Sequence, residues 1–344
     1  MRNFSRWLFL FSLTVLSGCQ TTYYAQAVKG QWQVMGARRP ITEVLQDASA
    51  SEALKHKLQI VQQAVAFART ELHLPVDDNF TQYVDVQREH AMWNVFAAPE
   101  FAVTPVRHCF FWVFCAEYKS YFAKTLAENE ASQWQQQGYD VFVAGADAYS
   151  LGGMMEDPVF STTLNLPDDY VVSIIFHELT HSWLSLKNDS VFNESLATTV
   201  QYEGLKRWLV AHGKSVDDNV AFKIYARHEA FVTLTNRYRE QLANVYKSPL
   251  SDEEKRQKKS HIIAQLREEY KKSSFPYSKS WMDGPLNNAQ LSTVGVYNDL
   301  VPAFNVLLAN QKGDLEAFYD ACENIADMSK QERDKTLHAL KPLN

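Results

Sequence analysis

The stretch IIFHELTH, residues 174–181, decides how this chain folds and what chemistry it can carry out. The apolar residues before the first histidine predict a buried helix. In such a helix His177 and His181 lie four residues apart and project from one face, where both imidazoles can bind one Zn²⁺. Glu178 lies about 100° further around the helix, where it can accept a proton from a water molecule beside the metal.

A catalytic zinc site needs a third protein ligand, and the next predicted helix offers one. The loop at 187–190 predicts the end of one helix and the cap of the next, so that Glu194 faces the histidines from an antiparallel neighbour. Glu203, the rival carboxylate, points to the opposite side of that helix. Ala197 is small enough to let the helices approach, and Thr198 is placed to hydrogen-bond a ligand histidine. We therefore expect Glu194 to complete the site.

The pattern H-E-x-x-H is specific. With 10 histidines in 344 residues, it is expected by chance in only about two of a hundred chains of this length. The alternative interpretation is a pair of histidines on a helix surface with an unrelated glutamate nearby. The sequence N-E-x-x-A at 193–197, on the next predicted helix, favours the metal site. One Zn²⁺ ion is therefore the expected cofactor.

The composition is typical of a folded chain with a large core. Hydrophobic residues make up 46% and charged residues 22% of the sequence, which excludes intrinsic disorder and collagen-like repeats. The formal net charge of −6 argues against a nucleic-acid groove, which needs an excess of lysine and arginine on one surface. We therefore expect no nucleic acid among the partners of this protein.

The first residues have the pattern of an export signal. Arg2 and Arg6 form a positive region, and mostly apolar residues follow from Trp7 to Leu16. This run is too short for the roughly twenty residues of a membrane-spanning helix. The sequence Leu-Ser-Gly-Cys at 16–19 then resembles the bacterial lipobox, at which cleavage leaves a lipid on the cysteine. The alternative is the buried start of a first helix.

A lipobox predicts both a signal peptide and a location. Residues 1–18 would be the signal peptide, and Cys19 would carry the lipid that attaches the chain to a bacterial membrane. Gln20, rather than aspartate, follows the cysteine, which favours the periplasmic face of the outer membrane. No later apolar run approaches eighteen residues, so we expect a lipid anchor and no membrane-spanning helix.

Two further cysteines lie close together in the sequence. Cys109 and Cys115 enclose five residues, four of them aromatic. In an oxidising periplasm they could close a small disulfide loop, and the alternative is two separately buried thiols. Cys322 is left over and is expected to be buried in a helix.

The remaining pattern predicts a mainly helical α+β fold. A helix is expected over 41–74, strands and turns over 83–122, and a further strand over 158–164. We expect an N-terminal α/β part over 19–166, with a small mixed sheet before the H-E-x-x-H helix, and a helical zinc-binding part over 167–344. The helices predicted in this second part span 169–187, 191–212, 217–247, 252–273, 287–311 and 313–340.

The zinc motif resembles that of the gluzincin metallopeptidases, in which two histidines and one downstream glutamate bind zinc. More narrowly, the chain resembles a bacterial family of predicted aminopeptidases, most of which are lipoproteins. The matching stretches are the L-S-G-C start, Tyr24 to Pro40, the Cys109/Cys115 loop with Tyr118 and Tyr121-Phe122, Gly138 to Val141, Ala148-Tyr149-Ser150, Asp157-Pro158, the zinc motif and Leu286 to Ala289.

The resemblance implies a zincin-like core in which Glu178 is the general base. In gluzincins a strand just before the H-E-x-x-H helix binds the substrate backbone, which places Asp157, at the start of the predicted strand, on the substrate side. These peptidases also direct a tyrosine or histidine donor at the oxyanion. Tyr297 is the candidate for that catalytic role and Tyr149 is the alternative. The alternative interpretations are an ordinary core strand and a buried tyrosine.

These features together predict a zinc peptidase of the bacterial envelope, with aminopeptidase action on peptides or unfolded proteins. The chain lacks the G-A-M-E-N stretch with which the best-known zinc aminopeptidases hold the free amine of the substrate. Endopeptidase action on misassembled envelope proteins is therefore one alternative, and a chaperone-like lipoprotein with a structural zinc site is another. Glu178 favours catalysis, because a structural site has no need of a base beside its metal.

Overall fold

Helices make up most of the chain that the structure describes. The computed structural model describes residues 19–110, 114–149, 156–273, 279–294 and 300–340. Small sheets lie in the N-terminal half and helices fill the C-terminal half, so the predicted mainly helical α+β class is confirmed.

The N-terminal half contains the helices α1 (Cys19–Gly36), α2 (Ile41–Gln46), α3 (Glu52–Thr70) and α4 (Lys124–Gln136). The single helix expected over 41–74 is wrong, because the chain breaks between α2 and α3. The Asp47 carboxylate accepts a hydrogen bond from the Ser49 backbone at 2.9 Å, which forms a turn. The Ser51 side chain then caps α3 by accepting from the Leu54 backbone.

The strands form two three-stranded sheets and a hairpin within the described residues. A mixed sheet has the order β1-β2-β8, with β1 antiparallel and β8 parallel to β2. An antiparallel sheet has the order β6-β3-β7, and β4 pairs with β5. These strands are β1 (Arg38–Pro40), β2 (Gln82–Val84), β3 (Met92–Ala98), β4 (His108–Phe110), β5 (Phe114–Ala116), β6 (Lys119–Tyr121), β7 (Asp140–Ala146) and β8 (Val159–Phe160).

The strand before the H-E-x-x-H helix is shorter than expected. The prediction covered 158–164, whereas β8 has two residues and is followed by a 3-10 turn at Thr163–Asn165. The hydroxyl of Thr162 donates to the Asp147 carbonyl, and this contact turns the chain away from the sheet. Strand β8 lies at the edge of the sheet as far as the described residues show.

The C-terminal half is helical, as expected, with more breaks than the sequence suggested. Helix α5 carries the H-E-x-x-H residues, and α6 carries Glu194. Within the region predicted as one helix over 287–311, residues 295–299 lie outside the described chain. The helices are α5 (Asp168–Trp183), α6 (Ser190–Ala211), α7 (Val220–Lys247), α8 (Asp252–Lys272), α9 (Lys279–Met282), α10 (Asn288–Ser292), α11 (Val301–Asn310), α12 (Leu315–Ala326) and α13 (Lys330–Ala339). Helix α13 begins at a Ser329 capping box, which interrupts the helix expected over 313–340.

The largest hydrophobic core crosses Pro167. It packs Leu58 of α3 against Phe176 of α5 and Leu196 of α6, and it continues to Phe304 of α11. The boundary expected at Pro167 therefore marks a change in secondary structure, and the residues on its two sides share one core.

The stretch Leu286 to Ala289 ties the C-terminal helices to the antiparallel sheet. The Asn287 side chain donates to the Val141 carbonyl at 2.9 Å. The buried Asn288 side chain donates to the carbonyls of Pro99 and Glu100 at 3.1 and 2.8 Å. Because these bonds satisfy polar groups that packing removes from water, they hold the sheet in place against α10.

Among the described helices, none combines the length and the hydropathy that crossing a bilayer requires.

A buried ion pair holds the start of α6. The Asp189 carboxylate caps this helix by accepting from the Phe192 backbone, as the sequence predicted for the loop, and it accepts from Arg333 of α13 at 2.6 and 3.1 Å. The two side chains are only 4% and 8% exposed. Burial raises the pKa of Asp189, but the hydrogen bonds from Arg333 and Lys330 outweigh this effect and lower it.

The substitution Asp189→Asn is expected to lower the free energy of unfolding at neutral pH by about 3–5 kcal/mol, because it leaves the buried Arg333 without a negative partner. Since the folded-state pKa of Asp189 lies below its usual 3.8, the pair stabilises the fold above that pH and loses its contribution as the pH falls through the lowered pKa. Urea unfolding followed by circular dichroism at several pH values measures both effects.

The matched control is Asp334→Asn, which removes an exposed partner of Lys330. Its cost is expected to stay below about 1 kcal/mol. Equal losses in the two variants would contradict the importance of the buried pair.

Candidate metal centre

The turn between α5 and α6 is held by the residue that precedes Glu194. The Asn193 side chain accepts from the Leu186 backbone N–H at 2.8 Å and donates to the Leu186 carbonyl at 2.9 Å. Asn188 takes the left-handed backbone conformation that the turn requires, with φ of 64°. This clamp returns α6 alongside α5, so that Glu194 comes back to the histidines.

The two helices approach closely because their contact residues are small. Ala197 is fully buried, as its size suggested. At Gly204 an added Cβ would lie 2.8 Å from atoms of Phe176 and Leu72, so a larger side chain would force the helices apart. The spacing between α5 and α6 is therefore determined by these two positions on α6.

Three potential ligand atoms meet between the helices. The Nε2 atoms of His177 and His181 are 3.1 Å apart, and Glu194 oxygens lie 3.3 Å from His177 Nε2 and 3.6 Å from His181 Nε2. Tetrahedral Zn²⁺ with ordinary bond lengths requires ligand atoms about 3.3–3.6 Å apart. The two histidine–glutamate separations match this range and the separation between the histidines is slightly shorter, so the three side chains predicted as ligands come together closely enough to hold one metal ion.

A chain of hydrogen bonds begins at His177 Nδ1, the ring nitrogen that does not face Glu194 and His181. This nitrogen bonds to Gln201 Oε1 at 3.0 Å, and Gln201 Nε2 donates to the Tyr225 hydroxyl at 2.6 Å. The Tyr225 hydroxyl contacts the hydroxyl of Ser173, which donates to the Tyr170 carbonyl at 2.7 Å. The three linking side chains are all buried.

This chain determines the tautomer of His177. Ser173 gives its only hydroxyl proton to a carbonyl, so Tyr225 must donate to Ser173 and accept from the Gln201 amide. The Gln201 oxygen then faces His177 and accepts from its Nδ1–H. His177 Nε2 is left with its lone pair directed at the other two ligand atoms, which is the arrangement that binds a metal.

The charges of the site also favour a cation. Burial raises the pKa of Glu194, but hydrogen bonds with His177 and His181 outweigh this effect and lower it to about 2. Burial lowers the pKa of His177, and the carboxylates of Glu194 and Glu178 more than compensate, so the net shift is upward. Positive charge between these side chains is therefore stabilised.

Glu178 lies beside the three ligand candidates without belonging to them. It is half-buried, and its carboxylate acts electrostatically on His177.

The structure distributes the other predicted residues over several places. Thr198 is buried on α6 one turn after Glu194. Asp157 and Tyr149 line a small pocket between α1 and β8 rather than joining the ligand cluster. The Tyr149 hydroxyl donates to the Gln31 side chain at 2.8 Å in that pocket. Tyr297 lies outside the described residues.

Cys109 and Cys115 are joined in a disulfide, which closes the hairpin of β4 and β5. Cys322 is buried in α12 as a free thiol. Cys19, the expected lipidation site, is the first residue of α1.

The sequence interpretation missed Tyr118, which lies in the turn between β5 and β6. Its ring packs on Phe96 with centroids 5.2 Å apart, and its side chain is 37% exposed. Burial raises the pKa of the Tyr118 hydroxyl, and the Glu194 carboxylate adds to this effect. Because Tyr118 lies 59 residues before His177 in the sequence, spacing around H-E-x-x-H could not identify it.

Gln201 was also missed, although a sequence signal existed. It follows Glu194 by seven residues, which is two helical turns, and therefore lies on the same face of α6. Polar residues at that spacing after a ligand are candidates for orienting another ligand.

Fold and site together define a mainly helical α+β protein with a cluster of three side chains that could hold a metal ion. The chain belongs to a family described as "Putative aminopeptidase", whose model matches residues 22–337. No curated protein and no solved structure matches the chain significantly. Membership in this family supports a peptidase activity.

The hydrogen bond from Gln201 to His177 is expected to contribute to metal affinity. Gln201→Leu removes the acceptor for Nδ1–H and should weaken zinc binding by about 10–100-fold, measured by chelator competition. Gln201→Glu keeps an oxygen acceptor and should lose less. A leucine variant that folds normally and binds zinc as tightly as the wild type would contradict this role.

Proposed function

We propose that this protein is a zinc-dependent aminopeptidase of the gluzincin type, attached by lipid to the bacterial envelope. The observation that carries the proposal is the convergence of His177, His181 and Glu194 on separations of 3.1–3.6 Å with Glu178 beside them. The family to which the chain belongs supports the peptide substrate class.

The residues fit a zinc ion and divide the chemistry among themselves. His177, His181 and Glu194 would hold the metal. When bound, Zn²⁺ supplies a Lewis acid that polarises a carbonyl and makes water more acidic. Glu178 accepts the proton of the attacking water and passes it to the leaving amine. Tyr118, on which the Glu194 carboxylate acts electrostatically, would be the candidate hydrogen-bond donor to a substrate oxygen.

Partial exposure of the ligands favours catalysis over a structural role. The side chains of His177, His181 and Glu194 are 17%, 22% and 34% exposed, so the cluster is reached from solvent. A structural zinc site is closed by four protein ligands, whereas a catalytic one has three and an open position. Three ligand candidates cluster here within the described chain.

The envelope location is supported by two independent features. The first residues have the positive and apolar pattern of a lipoprotein signal that ends at Cys19. The Cys109–Cys115 disulfide suits an oxidising compartment such as the periplasm.

Glu178→Gln tests the mechanism. The variant should retain zinc, since Glu178 is not a ligand, and should lose hydrolysis by about 10²–10⁴-fold because it cannot accept a proton. His181→Ala should instead lose the metal, measured by elemental analysis. The matched control is Glu203→Gln on α6, because Glu203 pairs with Arg207 at 2.8 Å and should be dispensable. Full hydrolysis by Glu178→Gln would rule out the mechanism.

Peptides with free and acetylated amino termini test the exopeptidase mode. A mixed peptide library with mapped cleavage positions should show removal of amino-terminal residues, and acetylation should abolish cleavage. Cleavage of the acetylated peptides within the chain would establish an endopeptidase and exclude strict aminopeptidase action.

A further inference from the structure

The N-terminal helix α1 packs on the body of the protein through one face. Val34 is buried, and the Gln26 side chain donates to the Ser120 carbonyl at 3.2 Å. A Cβ at Gly30 would overlap the Phe122 ring, so the helix needs glycine at this contact. One face of α1 is therefore packed closely against the body of the protein.

The opposite face is apolar and exposed. Val28, Trp32 and Met35 are 58%, 70% and 42% exposed. Their spacing of four and three residues places them on one stripe, roughly 160° around the helix from the packed face. We name these three residues the α1 stripe. They are three of the six large apolar side chains that are exposed in the described part of the chain.

The charge of this segment differs from that of the whole chain. Lys29 is the single charged residue of α1, and no acidic residue occurs over 19–42, whereas the chain has a net charge of −6. A helix with an exposed apolar face and positive charge suits an anionic phospholipid surface. Tryptophan in particular favours the interface between headgroups and acyl chains.

The distance of the α1 stripe from Cys19, the expected lipid anchor, distinguishes two orientations of α1 on the membrane. Helix α1 begins at Cys19. At 1.5 Å per residue, Val28 lies about 14 Å and Met35 about 24 Å from Cys19 along the axis. A helix that stands upright on its lipid would hold Met35 in water, whereas a helix that lies flat brings the whole stripe to the membrane.

We propose that the α1 stripe lies in the headgroup region of the phospholipid membrane, with α1 parallel to the bilayer surface. This inference rests on the proposed lipid attachment at Cys19. The lipid on Cys19 attaches one end of α1 to the membrane, and the α1 stripe forms a second membrane contact towards the other end of the helix. The body of the protein then has a defined orientation on the membrane instead of turning freely about its lipid.

Single cysteines on α1 test the proposal in the full chain. Val28→Cys reports from the stripe, and Gln33→Cys is the matched control, exposed on the same helix but away from the stripe. The native cysteines do not interfere, since Cys109 and Cys115 form a disulfide, Cys322 is buried, and a lipidated Cys19 has no free thiol. Each variant is produced in a bacterium, reconstituted into vesicles of phosphatidylethanolamine and phosphatidylglycerol, and treated with a water-soluble maleimide.

On vesicles, Val28→Cys should react about tenfold or more slowly than Gln33→Cys, because acyl chains and headgroups cover it. Equal rates would overturn the proposal. Mass spectrometry shows whether residues 1–18 have been removed and whether Cys19 carries a lipid. Protection of Val28→Cys in a protein that keeps residues 1–18 and has no lipid would also overturn the proposal, since the apolar residues before Cys19 would then cover the stripe. Protection that disappears on dilution to monomers would assign the stripe to a second copy and overturn it as well.

Measuring peptide hydrolysis by the same samples allows the membrane contact and the peptidase activity to be tested separately. An active peptidase with an unprotected stripe leaves the enzyme proposal standing and removes the membrane contact. A protected stripe on a lipidated but inactive protein does the reverse.

Discussion

The convergence of two imidazoles and a carboxylate between two helices is the constraint on which the site depends. Two imidazole nitrogens and a carboxylate lie within 3.6 Å of one another on two adjacent helices. The tautomer of His177 presents its Nε2 lone pair to this group, so a cation placed between the three side chains would be stabilised by all of them. The Asn193 clamp at the turn and the buried Asp189–Arg333 pair hold the start of α6, where Glu194 lies.

The hydrogen-bond chain behind His177 shows how a buried polar network can specify chemistry. A backbone carbonyl can only accept, so each link from Ser173 through Tyr225 to Gln201 has one possible direction. That direction reaches the imidazole and selects its tautomer. The network joins α5, α6 and α7, so the ligand geometry depends on three helices rather than on the H-E-x-x-H stretch alone.

The predictions from sequence agree with the structure for features that depend on residue spacing within a single helix. The faces of α5 and α6, the cap at Asp189 and the small Ala197 all follow from local spacing. They failed at α2 and α3, where the turn chemistry of Asp47 and Ser51 interrupts a continuous apolar period. They also placed Tyr149 as an alternative oxyanion donor, whereas it bonds to Gln31 of α1 at a separate pocket.

The sequence by itself determined that two histidines lie on one face of a helix with Glu178 beside them, because the geometry of an α-helix is the same in every protein. Only the tertiary structure decided that Glu194 returns to the two histidines, that its carboxylate acts on Tyr118, and that one face of α1 is left exposed. These outcomes depend on how whole elements pack. Packing sums many weak contacts between residues far apart in the chain, and no local pattern encodes that sum.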